Sequence, residues 1–151
     1  MYDTIEELFW TIDEKIAGWM AKYGVPLLRY SIAIVFIWFG ILKPLGISSA
    51  AELVARTVVW FSPDWFVSFL GWWEVVIGLT LLYRPTIRVS IFLLFLQMPG
   101  TMLPLFVLPD VCFTQIPFGL TMEGQYIIKN LVLISAALVI GGTVRTDTKS
   151  M

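Results

Sequence analysis

Four apolar stretches divide the chain, at residues 27–42, 65–83, 89–108 and 126–144. Each approaches the roughly 20 residues that a helix needs to cross a hydrocarbon core. Charge inside them is sparse. Arg29 lies near the start of the first, Glu74 sits within the second, the third has none, and the fourth holds only Lys129. Lipid offers no partner to an exposed N–H or C=O, so such runs read as helices. The expected fold is an all-α membrane protein, a bundle of four transmembrane helices.

The intervening segments follow other patterns. Ile5, Leu8, Phe9, Ile12, Ile16 and Trp19 recur at helical spacing opposite acidic residues and Lys15. Asp3 or Thr4 is placed to cap this helix, and Gly24 and Pro26 to stop it. Residues 1–24 therefore read as an amphipathic helix lying in the membrane interface, with docking on a partner as the sharper alternative. Residues 25–145 form the four-helix domain and 146–151 a flexible tail. Asp3, Glu6, Glu7, Asp13 and Glu14 are the reverse of a basic leader, so the first span is expected to stay in the mature protein.

Ser49-Ala50-Ala51-Glu52 has the form of a capping box and predicts a short helix over 50–60, with Glu52 and Arg56 one turn apart. Ser62-Pro63 announces the second span, and Thr121 with Glu123 the fourth. Pro99, Pro104 and Pro109 interrupt the end of the third, which predicts a kinked helix and a cavity opened by the kink. Lys15, Lys22, Arg29, Arg84, Arg88, Arg145 and Lys149 fall on one side of a four-span topology. Lys43, Arg56 and Lys129 fall on the other, so both termini are expected to be cytoplasmic.

Composition removes much chemistry. The 151 residues are 58% hydrophobic and 15% aromatic, with mean hydropathy +0.84. Histidine is absent and Cys112 is the single cysteine. No haem or metal is therefore expected, nor an imidazole-based triad, a disulfide within the chain or a dithiol motif. Cys112 reads as a small apolar loop residue. A net charge of −1 with no basic cluster gives no nucleic-acid footprint.

Glu74 is then the most informative position. A carboxylate at that depth must be paired, protonated or in contact with water. Gly71 and Gly78 lie one turn to either side, on the face where glycines allow close helix approach. Gln97, Gly100, Thr101 and Pro104 make a comparable face on the third span, and Glu74 and Gln97 both lie roughly 12–16 Å from the outer end. Lys43 closes the first span near Gly40, and Lys129 opens the fourth. These positions predict one cluster of Lys43, Glu74, Gln97 and Lys129, flanked by Trp72 and Trp73, which could stack a flat ligand. Arg29 is expected to snorkel to the cytoplasmic face. The plainer reading makes the polar groups register locks, the lysines end anchors and the tryptophans interface anchors.

Three segments carry a family resemblance. Arg29-Tyr-Ser-Ile-Ala-Ile-Val-Phe-Ile-Trp-Phe-Gly-Ile-Leu-Lys43 resembles the opening span of DoxX-like proteins, nearest the branch associated with resistance to reactive chlorine. Gly71-Trp-Trp-Glu74-Val-Val-Ile-Gly78-Leu is similar to the core of their second span, and Gly124-Gln-Tyr-Ile-Ile-Lys129-Asn-Leu-Val-Leu to the start of their last. Pro44-Leu-Gly46 is a stiffer exit from the first span than the family shows. The resemblance implies a small four-helix protein of the bacterial inner membrane, linked to quinol-coupled oxidation or oxidative stress. The expected function is binding of a quinone or similar lipid-soluble molecule at Lys43, Trp72, Trp73, Glu74, Gln97 and Lys129, without catalysis by this chain alone. The alternative is an accessory subunit of a larger membrane complex or homo-oligomer. A coupled transporter is a third reading, and no internal repeat supports it.

Overall fold

The computed structural model describes residues 2–58, 60 and 62–144. The first helix, α1, runs Tyr2–Leu42, 41 residues with Pro26 inside. The stop expected at Gly24 and Pro26 does not occur, and the boundary drawn at residue 24 is not a break in the helix. Proline removes one backbone bond, to the carbonyl of Lys22, and the helix continues through it on both sides. Asp3 and Thr4 already lie within the helix rather than at its cap. At 1.5 Å per residue α1 is ~62 Å long, about twice the hydrocarbon thickness of a bilayer. Residues 6–24 are exposed along their whole length.

Helix α2 (Ala51–Thr57) is shorter than expected, and Ala50 at its N-cap makes no side-chain bond, so the Ser49–Glu52 capping box does not form. Instead Thr57 Oγ1 turns back to donate to the Leu53 carbonyl at 2.6 Å. Helix α3 (Pro63–Leu82) begins as expected, with Ser62 extended and Pro63 in the first turn. A 3-10 turn, Arg84–Thr86, leads into α4 (Ile87–Met102), which contains Pro99. The prolines then punctuate the chain: α5 (Pro104–Val107) and α6 (Pro109–Cys112) each begin on one, where its missing N–H is no loss. Strands β1 (Phe113–Gln115) and β2 (Gly119–Leu120) form a small antiparallel hairpin with a register irregularity between Phe113 and Gln115. No alternation in the sequence announced it. Helix α7 (Met122–Ile128) starts where Thr121 predicts: the hydroxyl accepts from Gly124 N–H at 3.1 Å and donates to the Val111 carbonyl at 2.6 Å. Helix α8 (Asn130–Thr143) completes the fourth span, with Lys129 at the junction. The tail expected at 146–151 lies outside the described residues.

Four helical segments are long and apolar enough to cross a membrane: Glu6–Leu42, Pro63–Leu82, Arg84–Val107 and Met122–Thr143. Only 22% to 33% of their most apolar windows is buried inside the molecule. The rest of that apolar surface needs a non-aqueous solvent, and this is a multi-pass membrane protein. The core joins Ile32, Ala33 and Phe36 of α1 to Ile77 and Leu81 of α3, Leu94 and Met98 of α4, and Ala136, Ala137 and Ile140 of α8.

Two devices fix the bundle. A Cβ added to Gly71 would lie 2.6 Å from the Gly40 carbonyl oxygen, and one on Gly78 would lie 2.7 Å from that of Ala33. As numbering rises on α3 it falls on α1, so the two helices are antiparallel and touch backbone to backbone. Near the turn between α3 and α4, fully buried Ser90 donates to Thr80 Oγ1 at 2.7 Å, and Thr86 Oγ1 to the Thr80 carbonyl at 2.7 Å. These bonds satisfy hydroxyls that lipid could not.

Candidate functional site

The glycine contacts position the charged pair. Side chains on a helix lean towards its N-terminus. On antiparallel helices Lys43, just past the end of α1, and Glu74, mid-way along α3, therefore lean towards one another. Lys43 Nζ meets Glu74 Oε2 at 2.5 Å. The lysine side chain is 4% exposed and the glutamate 12%. Gln97 of α4 donates from Nε2 to the other carboxylate oxygen, Oε1, at 2.9 Å. Three helices thus converge on one carboxylate. Because the carboxylate only accepts, the Gln97 amide must turn its nitrogen towards it. Its own oxygen is left buried without a donor.

This cluster forms part of the wall of a cavity of about 750 Å³. Most of the lining is apolar and aromatic, with Phe36, Phe69 and Trp73 on one side and Leu133 on another. α2 and Trp60 line the same space, so the packed outer segment expected between the first two spans contributes to the site. Trp73 is held by its indole N–H, which donates to the Leu93 carbonyl at 3.4 Å.

No protein-family model, curated protein or solved structure matches the chain.

The geometry itself therefore sorts the expected site residues. Lys43, Glu74 and Gln97 are bonded together, and Trp73 lines the same cavity. Lys129 also lines it, yet its side chain is exposed and it makes no ion pair with Glu74 among the described residues. The expected second cation on the carboxylate is thus corrected: its partners are Lys43 on Oε2 and the neutral Gln97 amide on Oε1. Trp72 is 58% exposed and absent from the cavity wall. It lies two residues before Glu74, about 200° around a helix of 3.6 residues per turn, so it faces away from the cavity. Arg29 does not reach out to water; it is buried, 8% exposed.

Tyr126 and Asn130, which also line the cavity, were missed. The signal was available, since they bracket Lys129 on the fourth span. Cys112 is fully buried behind the hairpin, and a Cβ on Gly124 would collide with its carbonyl oxygen. Burial, with Glu123 nearby, raises the Cys112 thiol above its ordinary value. It is a packing residue and not a nucleophile at neutral pH. Among the described residues no group of three or more Cys, Asp or Glu is placed to hold a metal.

Proposed function

We propose that this protein binds a flat, lipid-soluble molecule carrying oxygen functions, a quinone or its quinol, in the cavity beside Glu74. The observation that carries the reading is the position of a neutralised Lys43–Glu74–Gln97 cluster at one wall of a cavity otherwise lined by apolar and aromatic side chains. Such a site is mostly apolar with few convergent polar groups, the composition of small-molecule pockets. Lys129, with no ion-pair partner among the described residues, donates to a ligand carbonyl. Glu74 accepts from a hydroxyl, and Trp73 and Phe69 flank the ring. Kinship with DoxX-like proteins, location in the bacterial inner membrane, cytoplasmic termini and a role in oxidative-stress physiology belong to the same proposal. They rest on the sequence resemblance and the distribution of basic residues.

The test is titration of short-chain quinones and quinols into the purified protein in lipid nanodiscs, followed by tryptophan fluorescence. Saturable binding is expected, weakened about tenfold or more in Glu74→Gln and Lys129→Gln, the scale of one hydrogen bond to a charged group. Equal binding by wild type and both variants sinks the reading.

A second reading has its own observation. Residues 6–24 of α1 are exposed and present Leu8, Phe9, Ile12, Ile16 and Trp19 on their surface, a face suited to another subunit. Native mass spectrometry after mild extraction separates the two: a stoichiometric protein partner favours the accessory role, a retained small molecule the binding role.

A further inference from the structure

A second cavity, of about 660 Å³, lies at the opposite end of the bundle. Lys22 and Arg29 of α1, Arg84 and Arg88 at the turn between α3 and α4, and Thr143 at the end of α8 line it. Among the described residues that line it, four side chains are cationic and none carries a carboxylate. Lys22 and Arg29 are seven residues apart on α1, so two turns of that helix present both to the same space.

Arg29 is the informative member. It is only 8% exposed, and a guanidinium remains charged in any protein environment. Its Nη2 donates to the Tyr30 hydroxyl at 2.9 Å, and the group sits 4.7 Å from the Tyr30 ring centroid. Its Nε is buried with no acceptor. No carboxylate pairs with Arg29 among the described residues. Among the described residues this buried cation is held by one neutral hydroxyl and a ring face with no counter-charge, and Lys22 and Arg88 on the same wall raise the local positive potential.

We propose that this cavity is a phosphate-binding site. A phosphate oxygen pair matches the planar fork of an arginine, and Arg29 and Arg88 approach from different helices. The surrounding surface fits a phosphodiester that carries acyl chains, since Leu27 and Tyr83 beside the cavity are 51% and 65% exposed. A basic recess between membrane helices at this level is where an anionic lipid headgroup sits. The same chemistry accepts free inorganic phosphate.

Two probes distinguish the sources. Delipidated protein in neutral detergent is titrated with inorganic phosphate, and separately reconstituted into nanodiscs of phosphatidylcholine with or without phosphatidylglycerol. Bound lipid is counted by native mass spectrometry, with thermal unfolding in parallel. Phosphatidylglycerol is expected to be retained over phosphatidylcholine, and Arg29→Gln and Arg88→Gln each to lower that preference about tenfold. Arg88 is exposed, so its variant remains informative if Arg29→Gln fails to fold. Stabilisation by inorganic phosphate without lipid selectivity assigns the site to free phosphate and supports the same chemistry. The proposal is overturned if folded Arg88→Gln matches wild type with both probes. It is also overturned if wild type binds neither probe.

Discussion

Lys43 and Glu74, 31 positions apart in the chain, meet at 2.5 Å because Gly40 and Gly71 let their two helices touch backbone to backbone. The pair itself carries no net charge. It also makes each partner dependent on the other, since removing one strands a buried charge.

Lys43→Met or Glu74→Leu alone is therefore expected to destabilise the protein by about 3–5 kcal/mol, the cost of an uncompensated buried charge. The double variant should recover most of that loss. Thermal unfolding of all four proteins in one detergent measures the coupling; additive losses would show that the pair is not held as described.

Glycines on α1 and α3 should behave in two classes. Gly71→Ala and Gly40→Ala place a methyl within 3 Å of backbone on the facing helix, and are expected to lower stability by about 1–3 kcal/mol. Gly18→Ala and Gly24→Ala meet nothing within 4 Å, and within a helix should stabilise by roughly 0.5–1 kcal/mol. Circular dichroism melts check the sign at each position.

The two adjacent tryptophans should separate in the quinone titration. Trp73→Phe removes an indole that lines the cavity and is expected to weaken binding and reduce the fluorescence response. Trp72→Phe, on the outward face, should leave affinity unchanged. Equal effects would place the ligand elsewhere.

Cys112 is fully buried and its thiol is raised above the ordinary value of 9.0. A water-soluble maleimide at pH 7–8 should therefore leave it unmodified until the protein is unfolded. The linkage has a definite sign. An acid whose pKa is higher in the folded state favours folding in its protonated form. Its contribution is thus complete below pH 9 and declines as the pH rises above it. Cys112→Ala should flatten that alkaline decline.

Much of this was legible before any coordinates. Apolar runs of span length with sparse charge identified the four membrane segments, because lipid permits few other structures. Glu74 and the glycines around it pointed to the packed face of α3. Ser62-Pro63 and Thr121 marked helix starts through local chemistry alone. The continuity of α1 through Pro26 was not legible, since a proline's effect depends on the turns around it. Nor was the hairpin at 113–120, whose strands are too short to show alternation.

What the linear order of residues decided, then, is which segments are helical, which faces carry small or polar groups, and that Glu74 needs a partner. Only the tertiary structure chose that partner. Lys43 and Lys129 were equal candidates by depth, and the antiparallel lean of side chains on α1 and α3 brought one to the carboxylate. Lys129, at the junction of α7 and α8, was left exposed on the cavity wall. Rotation about a helix axis likewise sent Trp72 outward and Trp73 to the cavity, and gathered Arg29 with Arg84 and Arg88 at the far end. Such choices depend on which helix lies beside which, a relation between distant parts of the chain that no local pattern encodes.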